Sequence, residues 1–552
     1  MKKWFVLALL GAAMFIIVID TTIINVSISA LVDDLNTTVS GVQSAISIYA
    51  LVMAAFILIG GKWADIIGKK RTFLIGTVIF GIGTTIASFA QSLGVLILGW
   101  SILEGLGSAL MIPNIQTILR SVYESKDRAF AYAIISAIAA VGAAVGPIVG
   151  GLLTTYASWR WAFRLEVVIV VIVLIFSSRI PRDVMADRRP KFDFLGATLN
   201  AFGWAAIVLG VLMGGEYGFW FAKQPFVIGA LSLQPFGMSI VPFVIGFGVL
   251  LILGLLNWER KLEQAGGDGL FRPSLFRIPG LEPSMGVRFF QMAVSAAFLF
   301  TFPLFLQLSF GLTAIETGLA LIPFSLAMLV TAIAGSRLSA RYSAKRLIQV
   351  GFVLISAGLI ILLLTIQPDI SPADLAGTAL FGVGFGLVAS QILNLILSSV
   401  APGDVAETAG LNGTGEQLGN ALGVALVGTM MLIVLSANLE RGMATSLAIA
   451  PEYEAPLTAA VESGVELMSD EQLTAALDAA GVDMATQLEV NRIYDAARVE
   501  AFQTGTIFLI FLALVGLLLT PFLIDRKLVD ITAESVFVCR PGVCIAFSFN
   551  FL

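Results

Sequence analysis

Residues 60–76 have the sequence GGKWADIIGKKRTFLIG, a short basic segment between two long apolar runs, 41–60 and 72–91. Each run has about 20 residues, which is enough for a helix to cross a hydrocarbon core about 30 Å thick. The glycines allow a tight turn between two helices, and the basic run KKR is strongly disfavoured inside lipid. This segment therefore predicts two membrane helices joined by a short loop in water.

The same pattern recurs along the whole chain. Of the 552 residues, 58% are hydrophobic and 12% are charged, whereas a soluble domain has about 25% charged residues. Backbone groups in lipid must be paired internally, so spans of this length must be helices. The first run is too long for a signal peptide and lacks a small-residue cleavage site, so it is expected to remain as a helix. We predict an all-α membrane protein with fourteen transmembrane helices, at residues 5–31, 41–60, 72–91, 94–119, 129–153, 161–178, 194–213, 238–256, 285–308, 317–336, 347–366, 375–399, 407–436 and 503–524.

The distribution of basic residues predicts the orientation in the membrane. With a cytoplasmic N-terminus, all but seven of the 32 lysines and arginines fall in cytoplasmic loops, tails and adjoining helix ends, as the positive-inside rule requires. The seven exceptions are Arg160, Arg164, Lys223, Arg288, Arg441, Arg492 and Arg498. Because the number of spans is even, both termini are predicted to lie in the cytoplasm, and the protein is predicted to be a multi-pass protein of the inner (plasma) membrane.

Two segments outside the spans are unusual. Residues 438–500 contain twelve acidic and three basic side chains and are predicted to lie outside, with short surface helices. We interpret this segment as a solvated acidic cap, with the gathering of cationic substrates as the alternative. The tail 526–552 contains both cysteines, Cys539 and Cys544, and is predicted to be cytoplasmic.

Several motifs together resemble one known family. The string G-K-x-A-D-x-x-G-K-K-R at 61–71 resembles the loop 2–3 signature of the major facilitator superfamily. The string IDTTIINVSI at 19–28 resembles the first-helix signature of its fourteen-helix drug:proton antiporters, and VGAAVGPIVGG at 141–151 resembles the fifth-helix antiporter signature of the superfamily. A degenerate copy of the basic loop, AGSRLSARYSAKR, occurs at 334–346, as expected of two homologous halves.

This resemblance implies a major facilitator fold, with two six-helix halves and two extra central helices. The implied parts are an N-terminal half (1–180), the extra helices with their linkers (181–280), a C-terminal half (281–437 and 501–525), the outer acidic loop (438–500) and the tail (526–552).

The resemblance also implies roles for two of the motifs. Asp65 is expected to cap the helix that follows it, where the positive end of the helix dipole favours an anion. The glycines of the fifth span share one face that lets another helix approach closely, and the proline bends this helix. The implied gating loop comprises Gly61, Asp65, Gly68, Lys69, Lys70 and Arg71, with Ile66 where the family usually has arginine; the antiporter-motif helix comprises Gly142, Gly146, Pro147, Gly150 and Gly151.

Carboxylates at membrane depth are candidates for function because burial disfavours their charged form. Asp20 in the first span, Glu104 in the fourth and Glu416 in the thirteenth are predicted to bind protons or substrate. The resemblance implies that Asp20 and Glu104 face one central cavity. Three further acids, Glu166, Glu216 and Glu316, lie near outer helix ends and are expected to be structural.

The candidate residues depart from the family's usual pattern. Ser101 stands where the fourth-helix signature normally has an arginine, and Glu104 stands where glutamine is usual. Glu416 stands where arginine is common. These differences make the interior more acidic, which favours a cationic substrate, and the missing arginine leaves proton coupling open.

Several classes of protein are disfavoured by the residues that are absent from the sequence. There is no histidine, and both cysteines lie in the tail, so no metal site, cofactor or disulfide framework is supported. No phosphate-binding P-loop and no nucleophile–base set occur, which argues against an ATP-driven pump and against an enzyme.

We predict proton-coupled export of lipophilic or cationic drugs by a secondary transporter. Its expected partners are a small-molecule substrate, protons and membrane lipid, with no nucleic acid, and a monomer is expected. One alternative is an exporter or facilitator of a specific endogenous metabolite. The alternative from another class is a non-transporting membrane sensor or scaffold.

Overall fold

The structure is a bundle of helices of membrane-spanning length. The computed structural model describes residues 2–181, 190–228, 231–365, 376–401, 403–446, 448, 449, 453, 457 and 466–525. Within these residues, thirteen helical segments are long and apolar enough to cross a membrane. The remaining predicted span, 72–91, corresponds to the helix Lys69–Ala87, whose mean hydropathy is lowered by the basic residues at its start. The predicted all-α membrane class is confirmed.

The N-terminal half contains six long helices and the short helix Ile28–Asp34, and a pair of extra helices follows it. The six are α1 (Lys2–Val26), α2 (Val39–Ile67), α3 (Lys69–Ala87), α4 (Leu93–Val122), α5 (Ser125–Tyr156) and α6 (Arg160–Ile175). The extra pair, α7 (Phe194–Tyr217) and α8 (Val241–Gln264), packs together. A small antiparallel hairpin of β1 (Phe226–Ile228) and β2 (Leu231–Leu233), with Phe226 opposite Leu233, lies in their connection.

The C-terminal half also contains six long helices. They are α9 (Leu281–Phe310), α10 (Ile322–Leu338), α11 (Ala344–Thr365), α12 (Gly377–Ser398), α13 (Val405–Thr445) and α14 (Met484–Leu519), and a short helix Ala314–Ala320 precedes α10. Both α13 and α14 extend into the segment predicted as a loop. The α13 helix continues to Thr445, and Asp483 caps α14 well before the apolar run begins. The tail 526–552, with Cys539 and Cys544, lies outside the described residues.

The two ends of the bundle differ in charge. We call the end that carries the α2–α3 turn, with its cluster of basic residues, the basic face. The opposite end, which carries the connection 27–38 with its short helix Ile28–Asp34 and the segment 466–483, is the acidic face. This difference in charge between the two ends is the one from which the sequence predicts the orientation in the membrane.

The turn between α2 and α3 corrects part of the sequence interpretation. Gly68 ends α2 with a φ of 103°, a left-handed value that favours glycine. Gly61 lies inside α2 with open space beside it, so it makes no close approach. The prediction that Asp65 caps α3 is wrong, because Asp65 lies in the last turn of α2 and no side chain caps the start of α3.

The segment between α13 and α14 packs against the N-terminal half at the acidic face. Ser40 donates its hydroxyl hydrogen to Glu466 Oε1 over 2.5 Å, and Gln472 Nε2 donates to Asp33 Oδ1 over 2.7 Å. Arg498 of α14 has a side chain only 4% exposed and pairs with Asp470. The acidic segment therefore includes a packed cap that connects the end of the C-terminal half to the first loop of the other half.

Buried amide side chains join the two halves. Gln43 of α2 donates to the carbonyl oxygens of Val424 and Ala425 in α13, each over 3.1 Å, and Gly428 leaves room for its side chain. Gln307 of α9 donates to the Val26 carbonyl and accepts from Ser29. Because an unpaired amide in an apolar interior is costly, these bonds favour one register between the halves.

The glycines of α5 bring this helix into backbone contact on two sides. A β carbon on Gly146 would lie 2.8 Å from Thr22 Cβ, and one on Gly150 would lie 2.9 Å from Ile23 Cα, both in α1. Gly151 instead faces Ile315 of the C-terminal half, where a β carbon would lie 2.7 Å from Cα. The α5 helix thus fixes the position of α1 and also contacts the other half.

Gly146→Ala is expected to destabilise the protein, because the new methyl group overlaps Thr22 and overpacking of this kind costs roughly 1–3 kcal/mol. Gly142→Ala is the matched control, since its β carbon would lie at an ordinary 3.4 Å from Val18. The melting temperature in detergent should fall for Gly146→Ala and stay near the parent value for Gly142→Ala. Equal melting temperatures would contradict the packing of α5 on α1.

Candidate functional site

Two buried acids lie at equal depth below the acidic face. Asp20 is six residues from the end of α1 at Val26, and Glu166 is six residues from the start of α6 at Arg160. At 1.5 Å per residue both lie about 9 Å from their helix ends. Each residue is 2% exposed. The two side chains are therefore at one level in the bundle, although they lie 146 positions apart in the sequence.

The third acid is positioned by a break in helix geometry. Residues Ile97–Glu104 of α4 form a π-helix, which continues as an α-helix from Gly105. The extra residue in each π turn rotates the following side chains relative to a regular α-helix, and such segments are frequent at functional sites. A β carbon on Gly83 of α3 would lie 2.6 Å from the Gly99 carbonyl oxygen, so α3 packs directly on this segment. Glu104, at its end, is 0% exposed.

Asp20, Glu104 and Glu166 meet in one buried cluster, which we call the acid triad. One carboxylate oxygen from each residue lies within 4.8 Å of the other two. Among the residues that the structure describes, no lysine or arginine forms an ion pair with any of the three. Two full negative charges 4.8 Å apart repel by about 3 kcal/mol at an effective dielectric constant of about 20. A proton or a bound cation in the triad would relieve this repulsion.

Two of the three acids have a hydrogen-bond donor nearby. The indole Nε1 of Trp100 donates to Asp20 Oδ2 over 2.9 Å, and the Thr84 hydroxyl donates to Glu166 Oε2 over 2.9 Å. The ring of Trp100 stacks on that of Tyr49, with centroids 5.2 Å apart. These contacts orient Asp20 and Glu166, and each donor comes from a helix other than that of its acceptor.

Other triad oxygens have no such donor. Within the described part of the chain, neither oxygen of Glu104 has a hydrogen-bond partner, and neither does Glu166 Oε1. A buried polar atom without a partner retains most of its desolvation cost. These three oxygens are consequently the ones that would gain most from a proton or a bound cation.

The structure brings together two of the predicted site residues and adds a third. Asp20 and Glu104 adjoin each other in the buried cluster, while their exposure to a central cavity, which the resemblance implies, stays a prediction. Because Glu166 lies near a helix end, the sequence predicts a structural role for it. The sequence does not show that Glu166 contacts Asp20 and Glu104. Its equal depth to Asp20 was the available signal, but rotation of α6 toward α1 could not be read from the sequence.

The third predicted carboxylate lies in a different environment. Glu416 of α13 accepts from Arg288 of α9 over 2.7 Å, and Arg288 also donates to Gln291. Arg288 is seven residues from the start of α9 on the basic face. The pair has no net charge, and the contact between its two residues could not be read from the sequence.

Ser101 occupies a site with little space for a larger side chain. It is 0% exposed, and its hydroxyl donates to the Ala45 carbonyl of α2 over 2.7 Å. It lies three residues before Glu104 and one after Trp100. A serine here gives the triad no positive charge, whereas an arginine would add one.

Comparison with known proteins identifies the family. The profile of the Major Facilitator Superfamily matches residues 10–424. The chain is 27% identical over 351 residues to a puromycin resistance protein of Streptomyces alboniger, covering 63% of this chain and 65% of that protein. It is 30% identical over 332 residues to a cephamycin export protein of Amycolatopsis lactamdurans, covering 59% and 63%.

A more general efflux protein is also similar. The multidrug efflux pump LfrA of Mycolicibacterium smegmatis is 24% identical over 348 residues, covering 63% of this chain and 64% of that protein. The chain therefore spans slightly less than two thirds of the length of these relatives.

Solved structures share the fold. A bacterial homolog of the human lysosomal transporter Spinster, in an inward-facing and unoccupied conformation, has a TM-score of 0.58 at 16% identity, covering 94% of this chain and 97% of that one. An autoinhibited peptide transporter of the POT family has a TM-score of 0.57 at 14% identity, covering 95% and 98%. The similarity extends over nearly the whole chain and concerns the fold.

Trp100→Phe should weaken cation binding about tenfold at neutral pH, because a hydrogen bond to a charged group contributes roughly 1.5–3 kcal/mol. The phenyl ring keeps the stacking on Tyr49 but cannot donate to Asp20. Binding of tetraphenylphosphonium to the purified protein, measured by calorimetry across a pH series, should recover at more alkaline pH.

The matched control for this variant is Trp159→Phe. It also removes an indole that donates to an aspartate, Asp34, but at the acidic face. If both variants bound the cation as the parent does, the Trp100–Asp20 bond would have no role in recognition.

Proposed function

The chain belongs to the major facilitator superfamily, and on this premise we propose that it is a secondary transporter that exports lipophilic cations in exchange for protons. The observation that supports this most directly is the acid triad, three buried carboxylates without a basic partner among the described residues. A desolvated carboxylate is stabilised by a proton or by a cation. Competition between the two for one group is sufficient for exchange.

The named functions of the relatives support export of foreign compounds. Three of the similar proteins are named for puromycin resistance, cephamycin export and multidrug efflux. Puromycin and cephamycin differ in structure, so the relatives do not point to one substrate. The charge of the substrate is inferred from the residues of this chain, where Glu104 and Ser101 leave the interior acidic.

Glu416 contributes in a different way from the triad in this proposal. Its charge is balanced by Arg288 at 2.7 Å, so it is less suited to bind a free proton or cation. The pair connects α9 and α13 of the same half. We assign it to holding these helices together, and assign proton and substrate binding to Asp20 and Glu104.

The proposed orientation places the basic face in the cytoplasm of a plasma membrane. Its lysines and arginines would then lie inside, as the positive-inside rule requires. The acid triad lies nearer the acidic face, about 9 Å below the helix ends. A proton entering from outside would have the shorter path to these carboxylates.

Proton-coupled transport tests the proposal. Purified protein in liposomes with an imposed pH gradient should accumulate tetraphenylphosphonium, and a protonophore should abolish this. Asp20→Asn should lower gradient-driven uptake at least about tenfold, a change of about 1.4 kcal/mol, because a neutral amide offers no negative charge to a cation or a proton.

The control for this variant is Glu316→Gln. Glu316 accepts a hydrogen bond from the backbone of the N-cap residue Thr313 in the capping box of the short helix Ala314–Ala320 and is outside the triad. Glutamine can also complete a capping box. Uptake against a gradient by Asp20→Asn at the parent rate would exclude this residue from coupling. If the protonophore left uptake by the parent protein unchanged, the proposal of proton exchange would be contradicted.

The orientation is tested by labelling with a membrane-impermeant maleimide in intact cells. With Cys539 and Cys544 replaced by serine, Met484→Cys should be labelled, because Met484 is 70% exposed at the acidic face. Ala265→Cys, exposed at the basic end of α8, should be labelled only after the cells are opened. The reverse labelling pattern would show that the orientation, and with it the direction of transport, is opposite to the one proposed.

A further inference from the structure

We propose that the acid triad divides its work: Glu104 and Glu166 share the exchangeable proton, and Asp20 is the anion that binds the cationic substrate. The inference rests on the proposed function for its substrate, but the proton-sharing pair stands on the geometry of the site. It makes Glu166 a binding residue, although its position near a helix end favoured a structural role.

Asp20 is the triad member best suited to remain charged. An indole N–H can only donate a hydrogen bond, so it needs an acceptor. The acceptor for Trp100 Nε1 is Asp20 Oδ2, at 2.9 Å. Donation to a carboxylate stabilises its charged form. Trp100 is 1% exposed and held by its stacking on Tyr49, so this donor is fixed. Asp20 therefore presents an anion even where water is excluded.

Glu104 is in the opposite situation. It is fully buried, and neither of its oxygens has a donor in the described residues. In the charged form it would have no stabilising contact and two acidic neighbours. A proton on Glu104 removes that charge and makes the group a donor.

Glu166 supplies the acceptor for that proton. Its Oε2 is occupied by the Thr84 hydroxyl, which leaves Oε1 without a partner. Oxygens of Glu104 and Glu166 lie within 4.8 Å of each other. A small side-chain rotation would bring them into hydrogen-bond contact, and one shared proton would then satisfy an oxygen of each residue. Thr84 holds Glu166 in place, while Glu104 has no such restraint.

The exchange balances in charge. When a monovalent cation binds beside Asp20, one proton leaves the Glu104–Glu166 pair, and the net charge of the triad with its contents is unchanged. The other titratable group at the site is Tyr49, whose hydroxyl is hydrogen-bonded to Ser108 over 3.1 Å. Tyr49 is thus already paired and is not needed to carry the proton.

Proton release on ligand binding tests this division. Tetraphenylphosphonium is added to weakly buffered, detergent-solubilised protein at neutral pH, and released protons are measured with an indicator dye while bound cation is measured by equilibrium dialysis. The parent should release about one proton for each bound cation. Glu166→Gln should still bind the cation through Asp20 but release far less, whereas Asp20→Asn should lose binding. Glu316→Gln should behave as the parent.

A second measurement does not depend on any substrate. Infrared spectra of the unliganded protein at neutral pH should contain a carbonyl band from a protonated carboxyl group. This band should be lost in Glu104→Gln and in Glu166→Gln, and it should remain in Asp20→Asn. Size-exclusion profiles check that each variant is folded.

The two measurements separate the possible failures. If the parent does not bind the cation but the carboxyl band behaves as expected, the proposed substrate is wrong and the proton-sharing pair stands. If Glu166→Gln retains the band, or releases protons as the parent does, Glu166 does not hold the proton and the inference is overturned.

Discussion

The arrangement of the N-terminal half depends on one constraint, the burial of three carboxylates at one depth without a basic side chain beside them in the described structure. Like charges at this separation repel strongly in a medium from which water is excluded. The surrounding helices reduce that cost with fixed donors, Trp100 on Asp20 and Thr84 on Glu166. The cost that remains is one that a proton or a bound cation would relieve, which is the basis of the proposed function.

Close helix packing keeps the site buried and in register. Gly83 lets α3 lie directly on the π-helix of α4, which determines where Trp100 and Glu104 point. Gly146 and Gly150 let α5 press on α1 and thereby place Asp20. Small residues have this role in membrane helices because association depends on close backbone approach. The glycines are therefore part of the site although none of them carries chemistry.

The two halves differ in how they manage charge. The N-terminal half has a triad of acids without a basic partner among the described residues. The C-terminal half balances Glu416 with Arg288 and has an apolar, aromatic interior around Phe298, Phe324 and Phe381. The halves are joined by Gln43 and Gln307, whose amides bond to backbone or side-chain oxygens of the opposite half. The cap at the acidic face adds contacts of the same kind through Glu466 and Gln472. Motion of one half relative to the other must exchange these bonds, so they favour discrete arrangements over continuous sliding.

By itself the sequence determined the membrane class, the approximate spans, the family resemblance and two of the three triad acids. It could do so because hydropathy, basic loops and intramembrane charges depend on local composition and on depth in lipid. Tertiary structure alone decided that Glu166 joins Asp20 and Glu104, that Trp100 donates to Asp20, and that Glu416 has a counter-charge in Arg288. Each of these depends on the rotation of one helix against another, and a single π-helical insertion changes that rotation without changing hydropathy. The position of the α2–α3 turn was also decided by the backbone. The turn occurs at Gly68, where glycine allows a left-handed conformation, and this leaves Asp65, three residues earlier, inside α2 and unable to cap α3.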